Sequence, residues 1–250
     1  MGRAVAMYEW LRSVGHGRPT RSSESVLLVN YMHLRKAVGW VGTLLPVILL
    51  VVNPIALAIE NSPCAVLPGS VSGYYYSPGR NIFVGVQCAI GLFLIAYVGY
   101  DLGDRLVTDA AGVFAVGVAL FPTKPTVASP PSVTCQTVAQ LSTREQVVGD
   151  IHVVFAGLMF VFMAWMAIRF TNTDSPHPSK QKLLRNRIYQ ICAIVIGVCL
   201  VAIVITTFLP ASVKGNFPWI FLWEALGIFA FGVSWFVKGQ TLIPVIKDPH

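Results

Sequence analysis

Charged residues are scarce in this sequence. Only 12% of its 250 residues are Asp, Glu, Lys or Arg, whereas 55% are hydrophobic, and the mean hydropathy is +0.67. A soluble domain carries about 25% charged residues, so the charge that a water-facing surface requires is missing. The composition also excludes disordered, collagen-like and disulfide-dense secreted chains. We therefore predict a protein embedded in a membrane.

Long uncharged runs organise the chain. A helix that crosses a membrane needs about 20 apolar residues, and three runs of this length contain no charge. Three more carry one or a few polar groups. The six predicted spans are 37–58, 81–100, 106–122, 147–168, 188–209 and 219–237. The predicted fold class is thus all-α, a six-helix transmembrane bundle over residues 37–238, with a partly flexible arm, 1–36, and a tail, 239–250.

Lys and Arg are divided unequally between the loops. Fourteen of the 18 fall on one side if the spans alternate, and four fall on the other. Basic residues are retained in the cytoplasm, so we predict that both termini are cytoplasmic in a bacterial plasma membrane. This topology accounts for the net charge of +7 without nucleic acid. A cleaved signal at 56–58 is the alternative for the first span, and it would leave five helices in the same orientation.

The five cysteines separate by position. Cys64 and Cys135 lie in the two longest outer loops, whereas Cys88, Cys192 and Cys199 lie within spans. Outer loops face an oxidising compartment, so we predict a disulfide between Cys64 and Cys135. The alternative is two unpaired thiols.

Polar side chains within the spans gather at one depth. At 1.5 Å per residue, Asn53, His152 and Glu224 lie at a similar level near the outer side, with Arg80 and Asn81 just above. Polar groups are costly in lipid and are candidate functional residues by default. We predict an outward-facing pocket lined by these five residues. Tyr75 joins them from the preceding loop.

Asp150 and His152 cannot share one helix face, because residues two apart project about 200° from each other. His152 is deeper in the membrane, so we assign it to the interior. Asp150 is expected at the rim, paired with Arg80 or Arg144.

The segment 71–81 has three consecutive tyrosines followed by a turn and Arg80. Tyrosine rings favour the headgroup level of a membrane. A helix N-terminus with a cation beside it attracts anions, including phosphate headgroups. The alternative is an aromatic belt with an ordinary helix start.

Three interpretations of the polar cluster stay open. It binds a lipid or a lipid-linked headgroup, it is an intramembrane enzyme site with His152 or Glu224 as acid or base, or it clamps helices in a structural subunit that works with another membrane protein. Nucleotide loops, zinc-protease patterns and nucleophile elbows are missing from the sequence,. We expect membrane lipids as partners and no cofactor.

These residues also carry a family resemblance. Over about residues 37–239 the chain resembles uncharacterised bacterial six-helix membrane proteins, which are distantly similar to the DRAM, Frag and Sfk superfamily. The matching positions are Ser72 with Tyr74–Tyr76, Arg80–Gly85, Gly99–Asp101, Phe121–Thr123, His152 and Glu224. The resemblance implies work on lipids. It departs where eukaryotic relatives often place Trp after the last-helix Glu, since Trp223 precedes Glu224 here.

Membrane hydrolases of the alkaline ceramidase type offer a second comparison. Those enzymes bind zinc through three histidines, two of them four residues apart on one helix. Here only His152 lies within a predicted span, so we predict no metal site of that design.

Overall fold

Seven α-helices and one 3-10 helix make up the described part of the chain. The computed structural model describes residues 21–64, 67–99, 101–129, 131–133, 135–171 and 179–239. The α-helices are α1 (Arg21–Ile59), α2 (Arg80–Ile95), α3 (Leu102–Leu120), α4 (Thr143–Arg169), α5 (Lys180–Phe208), α6 (Ala211–Lys214) and α7 (Trp219–Lys238), and the 3-10 helix is Ser72–Tyr76. In these ranges the only β pairing is one isolated bridge, Val127 with Val138. The all-α prediction is confirmed at this level.

Four of the described helices are long and apolar enough to cross a membrane. They are residues 35–59 of α1, α4, α5 and α7. The apolar α2 is shorter, at 16 residues, and α3 carries Asp104, Arg105 and Asp109 in its first eight residues. The chain therefore has the helices of a membrane protein.

Helix α1 begins well before the predicted first span. It is continuous from Arg21, so the second half of the predicted arm is helical, and Pro46 and Pro54 lie inside it. The rest of the arm, 1–20, and nearly all of the tail, 240–250, lie outside the described residues.

Six helices form a ring. Each of α1 to α4 packs against the next helix in the chain, and α7 closes the ring between α5 and α1. Because the helices alternate in direction, the connections 60–79, 121–142 and 209–218 meet at one end, here called the loop end. The opposite end is called the basic end.

The connection between α2 and α3 is anchored at the basic end. The Asp101 carboxylate accepts from the Asp104 backbone N–H at 2.7 Å and starts α3, as helix N-caps do. Arg169 at the end of α4 donates to Asp101 and, through Nε at 2.7 Å, to Asp104. The Asp104 N–H and then the Arg169 guanidinium hold the pKa of Asp101 below its usual value,.

Aromatic rings fill the core behind this ion pair. Trp235 of α7 is fully buried and makes edge contacts with Tyr97, at 4.9 Å between ring centroids, and with Phe170, at 5.3 Å. Arg35 is buried beside them and donates to the Tyr97 hydroxyl at 3.2 Å. Aromatic packing and hydrogen bonds thus fill this part of the basic end, and the two cavities described below lie at the loop end.

Candidate functional site

A cavity of about 350 Å³ lies between α4, α5 and α7 at the loop end. This volume is at the lower end of the range for ligand sites, about 300–1,000 Å³. Most of its wall is apolar. Its polar groups are Ser70, Ser72, Thr123, His152, Thr207 and Glu224. We call it the α4–α5–α7 cavity.

His152 lies on the α4 wall of this cavity. Its side chain is only 3% exposed, and Nδ1 lies 2.6 Å from the carbonyl oxygen of Phe121. A carbonyl oxygen only accepts, so Nδ1 carries the hydrogen, and Nε2 of the neutral ring is an acceptor. The hydrogen bond fixes the ring orientation and ties α4 to the end of α3.

Asp150, two residues earlier, points the other way. Its side chain is 68% exposed and lies 2.7 Å from the ammonium of Lys124. The prediction that His152 faces inward and Asp150 outward is confirmed. The predicted partners Arg80 and Arg144 were wrong, because the loop after α3 brings Lys124 over the start of α4 instead.

Glu224 reaches the cavity from α7 and also holds the 3-10 helix. Its carboxylate accepts from the backbone N–H of Val71 at 2.5 Å and from the hydroxyl of Ser72 at 3.3 Å. Val71 is the N-cap residue of the 3-10 helix, so the carboxylate satisfies an N–H that the helix leaves open. Glu224 is therefore both a wall of the cavity and a cap.

The cavity reaches the outer surface of the ring. Val153 of α4 and Val204 and Phe208 of α5 line it, and they are 62%, 50% and 83% exposed. Gly157 lies on the same wall, and a Cβ added there would meet nothing within 4 Å. The α4–α5 side of the cavity thus opens where these helices present apolar residues outward.

The segment 121–123 separates this cavity from a second depression. On one side His152 binds the Phe121 carbonyl, and on the other the Tyr76 hydroxyl donates to the Thr123 carbonyl at 2.8 Å. The second depression has a volume of about 590 Å³. Burial, with added repulsion from Tyr75 and Glu145, raises the pKa of Tyr76 to about 12, so its phenol is a donor at neutral pH.

Arg80 and Tyr75 lie on the wall of the second depression. The Arg80 guanidinium donates to the Tyr75 hydroxyl at 2.7 Å, and its carbon lies 4.2 Å from the Tyr75 ring centroid. Of the six predicted ligand-binding residues, the structure brings His152 and Glu224 together in one cavity and Arg80 and Tyr75 together in the other.

Asn53 and Asn81 line neither of these cavities. Asn53 is fully buried within α1, and Asn81 is exposed in the first turn of α2. The hypothesis that they bind a ligand stays a prediction.

The three tyrosines of the 3-10 helix differ in burial. Tyr74 is fully buried, with its ring centroid 6.1 Å from that of Phe221, and burial raises its pKa to about 12. Tyr75 and Tyr76 are half-buried. A 3-10 helix turns about 120° per residue, so three successive rings cannot share one interface, and the buried Tyr74 does not fit the alternative interpretation as an aromatic belt.

The predicted disulfide is present. Cys64 and Cys135 are bonded, with a Cα–Cα distance of 5.2 Å, and the link joins residues 71 apart in the sequence. It ties the loop that carries Ser70 and Ser72 to the loop that carries Thr123. Both loops supply residues to the cavity wall. The bond therefore holds together the two loops that cover the site, here called the roof loops.

Sequence reasoning missed the wall residues that come from loops, Ser70 and Thr123, and the place of Arg144 in the second depression. Phe121 binds His152 through its backbone carbonyl, and the residue type at a position does not indicate a contact of this kind. The Phe121-Pro122-Thr123 block of the family resemblance was the one available signal. No group of three His, Cys, Asp or Glu side chains that could hold a metal occurs among the residues that the structure describes.

A family model described as a protein of unknown function, DUF998, matches residues 46–239. The chain belongs to this family. The DUF998 region begins within α1 and ends just after α7, so it contains both cavities and the disulfide. No curated protein and no solved structure matches the chain.

Proposed function

We propose that this protein is an integral membrane protein that binds a membrane amphiphile in the α4–α5–α7 cavity. A hydrocarbon chain lies along its apolar walls, and the polar end lies near Thr123, His152 and Glu224. The observation that carries the proposal is the arrangement of the wall. Polar groups gather at the loop end, and Phe160, eight residues beyond His152 on α4, lies about 12 Å deeper,.

The size and the opening of the cavity favour one chain rather than a whole phospholipid. A volume of about 350 Å³ suits a single hydrocarbon segment, and the exposed valines on α4 and α5 offer a route from the lipid. Apolar contact supplies most of the affinity, at about 25 cal/mol per Å² buried. The hydroxyl and carboxyl groups would orient the polar end.

The topology in which we place this site has six spans, with α2 and α3 as the shorter ones and the loop end outside. The cations support it. Arg80, Lys124, Arg144 and Lys214 are the Lys and Arg residues of the loop-end connections and adjoining helix starts, and the basic end holds Arg35, Arg169 and Lys238 among others,. Reporter fusions at the C-terminus and within 123–142 test it: a C-terminus outside the cytoplasm would overturn it. The bacterial plasma membrane and the distant kinship with the DRAM, Frag and Sfk superfamily belong to the same proposal.

The binding test uses two glycines that are alike in burial and in the space around them. Gly157 lines the cavity and Gly197 of α5 does not, yet both are half-buried and a Cβ at either meets nothing within 4 Å. Gly157→Phe places a ring in the cavity, and Gly197→Phe adds the same bulk elsewhere. We expect mass spectrometry to find one lipid class enriched on the wild type and on Gly197→Phe but lost from Gly157→Phe. Equal lipid profiles on all three would contradict the proposal.

A second candidate function is acid–base catalysis on the bound lipid, because His152 and Glu224 line the same cavity. Turnover would leave a chemically altered lipid in the wild type and unaltered lipid in Glu224→Gln. If Glu224→Gln and Arg80→Ala instead lower the melting temperature with no lipid enriched on the wild type, the polar groups are helix clamps.

A further inference from the structure

The second depression has a cationic wall. It is bounded by the beginnings of α2 and α4 and by the segment 120–122, and its charged side chains are Arg80, Arg144 and Glu145. Tyr75, Tyr76 and Gln136 add hydroxyl and amide groups. We call it the arginine depression.

Two other cations of the described residues pair with carboxylates. Lys124 pairs with Asp150, and Arg169 pairs with Asp101 and Asp104. In the described ranges, neither Arg80 nor Arg144 has a carboxylate within 4 Å.

Glu145 does not neutralise the arginine depression. Its carboxylate accepts from the backbone N–H of Ser142 at 2.8 Å and from the Ser142 hydroxyl at 2.6 Å, which completes the capping box of α4. These bonds hold the carboxylate at the helix start. The arginine depression therefore has two guanidinium groups and one carboxylate on its wall, and the carboxylate is already hydrogen-bonded to Ser142.

Arg80 is also oriented in advance. The Tyr75 hydroxyl accepts one of its N–H groups and the Tyr75 ring lies under the guanidinium, which leaves the remaining N–H groups of a five-donor fork for a ligand. A guanidinium held in this way loses less entropy when it binds an oxyanion.

We propose that the arginine depression binds a phosphate-class anion between Arg80 and Arg144. Planar guanidinium forks match two oxygens of a phosphate, and the Gln136 amide and the Tyr75 hydroxyl supply further donors. The source is either a lipid headgroup or free phosphate. The site has different walls from the α4–α5–α7 cavity, so it does not depend on the lipid-binding proposal.

The test measures melting temperatures of the purified full chain in an uncharged detergent. The probes are inorganic phosphate, dioctanoyl phosphatidylglycerol and dioctanoylglycerol, which has the same chains without phosphate. A ligand that binds the folded state raises the melting temperature with concentration. The variants are Arg144→Gln, Arg80→Gln and the control Lys214→Gln, which removes a cation at the same end but outside the depression.

We expect a phosphate probe to stabilise the wild type, with affinity weakened roughly tenfold or more in each arginine variant, and unchanged in Lys214→Gln. Stabilisation by inorganic phosphate identifies free phosphate as sufficient, whereas stabilisation by the phosphatidyl probe alone identifies a headgroup. No effect of either phosphate probe, or an equal effect in Arg144→Gln and the wild type, would overturn the proposal.

Discussion

Two interfaces between neighbouring helices of the ring, here called seams, use glycine in opposite ways. Between α2 and α3, a Cβ on Gly91 would lie 2.8 Å from the carbonyl oxygen of Gly112, and one on Gly112 would lie 2.5 Å from that of Gly91. Beside α5, Gly157 of α4 faces open space. Small residues let backbones approach closely in membranes, so at the first seam the two helix backbones are in contact. At the second seam the missing side chain leaves an empty space, here called the vacancy. The same residue type gives rigidity in one place and room in the other.

The largest effect is expected at the tight seam. Gly112→Val pushes a branched side chain against the Gly91 backbone, which cannot move aside as a flexible side chain would. We expect a loss of about 3 kcal/mol, the upper part of the usual range for overpacking, and a lower melting temperature. Gly85→Val is the control, since a Cβ there meets nothing within 4 Å. Equal melting of the two variants would remove the distinction between the seams.

A smaller loss is expected when the cap at the cavity is removed. Glu224→Leu leaves the N–H of Val71 without its acceptor, at a cost of about 1–3 kcal/mol for an unsatisfied group. Glu224→Gln retains a carbonyl acceptor and should lose less. The difference between their unfolding midpoints shows how much stability the hydrogen-bond acceptor at Glu224 contributes. If the Leu variant is as stable as the wild type, the 3-10 helix does not depend on α7.

The vacancy itself should tolerate bulk. We expect Gly157→Phe to change stability by less than about 1 kcal/mol, because filling open space against apolar neighbours compensates for ordering the ring. Its melting curve is measured beside that of Gly197→Phe. A large drop for Gly157→Phe alone would mean that the cavity walls are already in contact in the membrane.

The smallest effect is one of pH. The pKa of Tyr76 is raised to about 12, so the folded state favours the neutral phenol that donates to Thr123. This stabilisation is complete below pH about 10, the pKa of an unfolded tyrosine, and is lost as pH rises through about 12. An ultraviolet titration should show less late-ionising tyrosine in Tyr76→Phe. The double variant with Tyr74→Phe should show less still, since Tyr74 is shifted to the same value.

Features that depend on one helix or one loop could be predicted from the sequence. The opposite directions of Asp150 and His152 follow from helix geometry alone, and the Cys64–Cys135 bond follows from loop positions. The depth of a residue along its helix could also be calculated from its position in the sequence.

The position of each helix around the ring could not be predicted from the sequence. Arg80 lies at a depth similar to that of Glu224, but α2 and α7 lie on either side of α1, so equal depth did not bring them into one pocket. The path of the loop after α3 sets both the Lys124–Asp150 pair and the Phe121 carbonyl opposite His152. No periodicity in the sequence encodes that path.

The position of α7 has a consequence for biosynthesis. Chains emerge N-terminus first, and Cys64 and Cys135 both precede α4, so the two roof loops can be joined while three of the six ring helices are still to be made. Glu224 arrives with the last helix, which is also the one that closes the ring between α1 and α5. In the proposed topology, a nascent chain thus presents an open groove until translation is nearly complete, and the lipid that we propose can enter it before the ring closes.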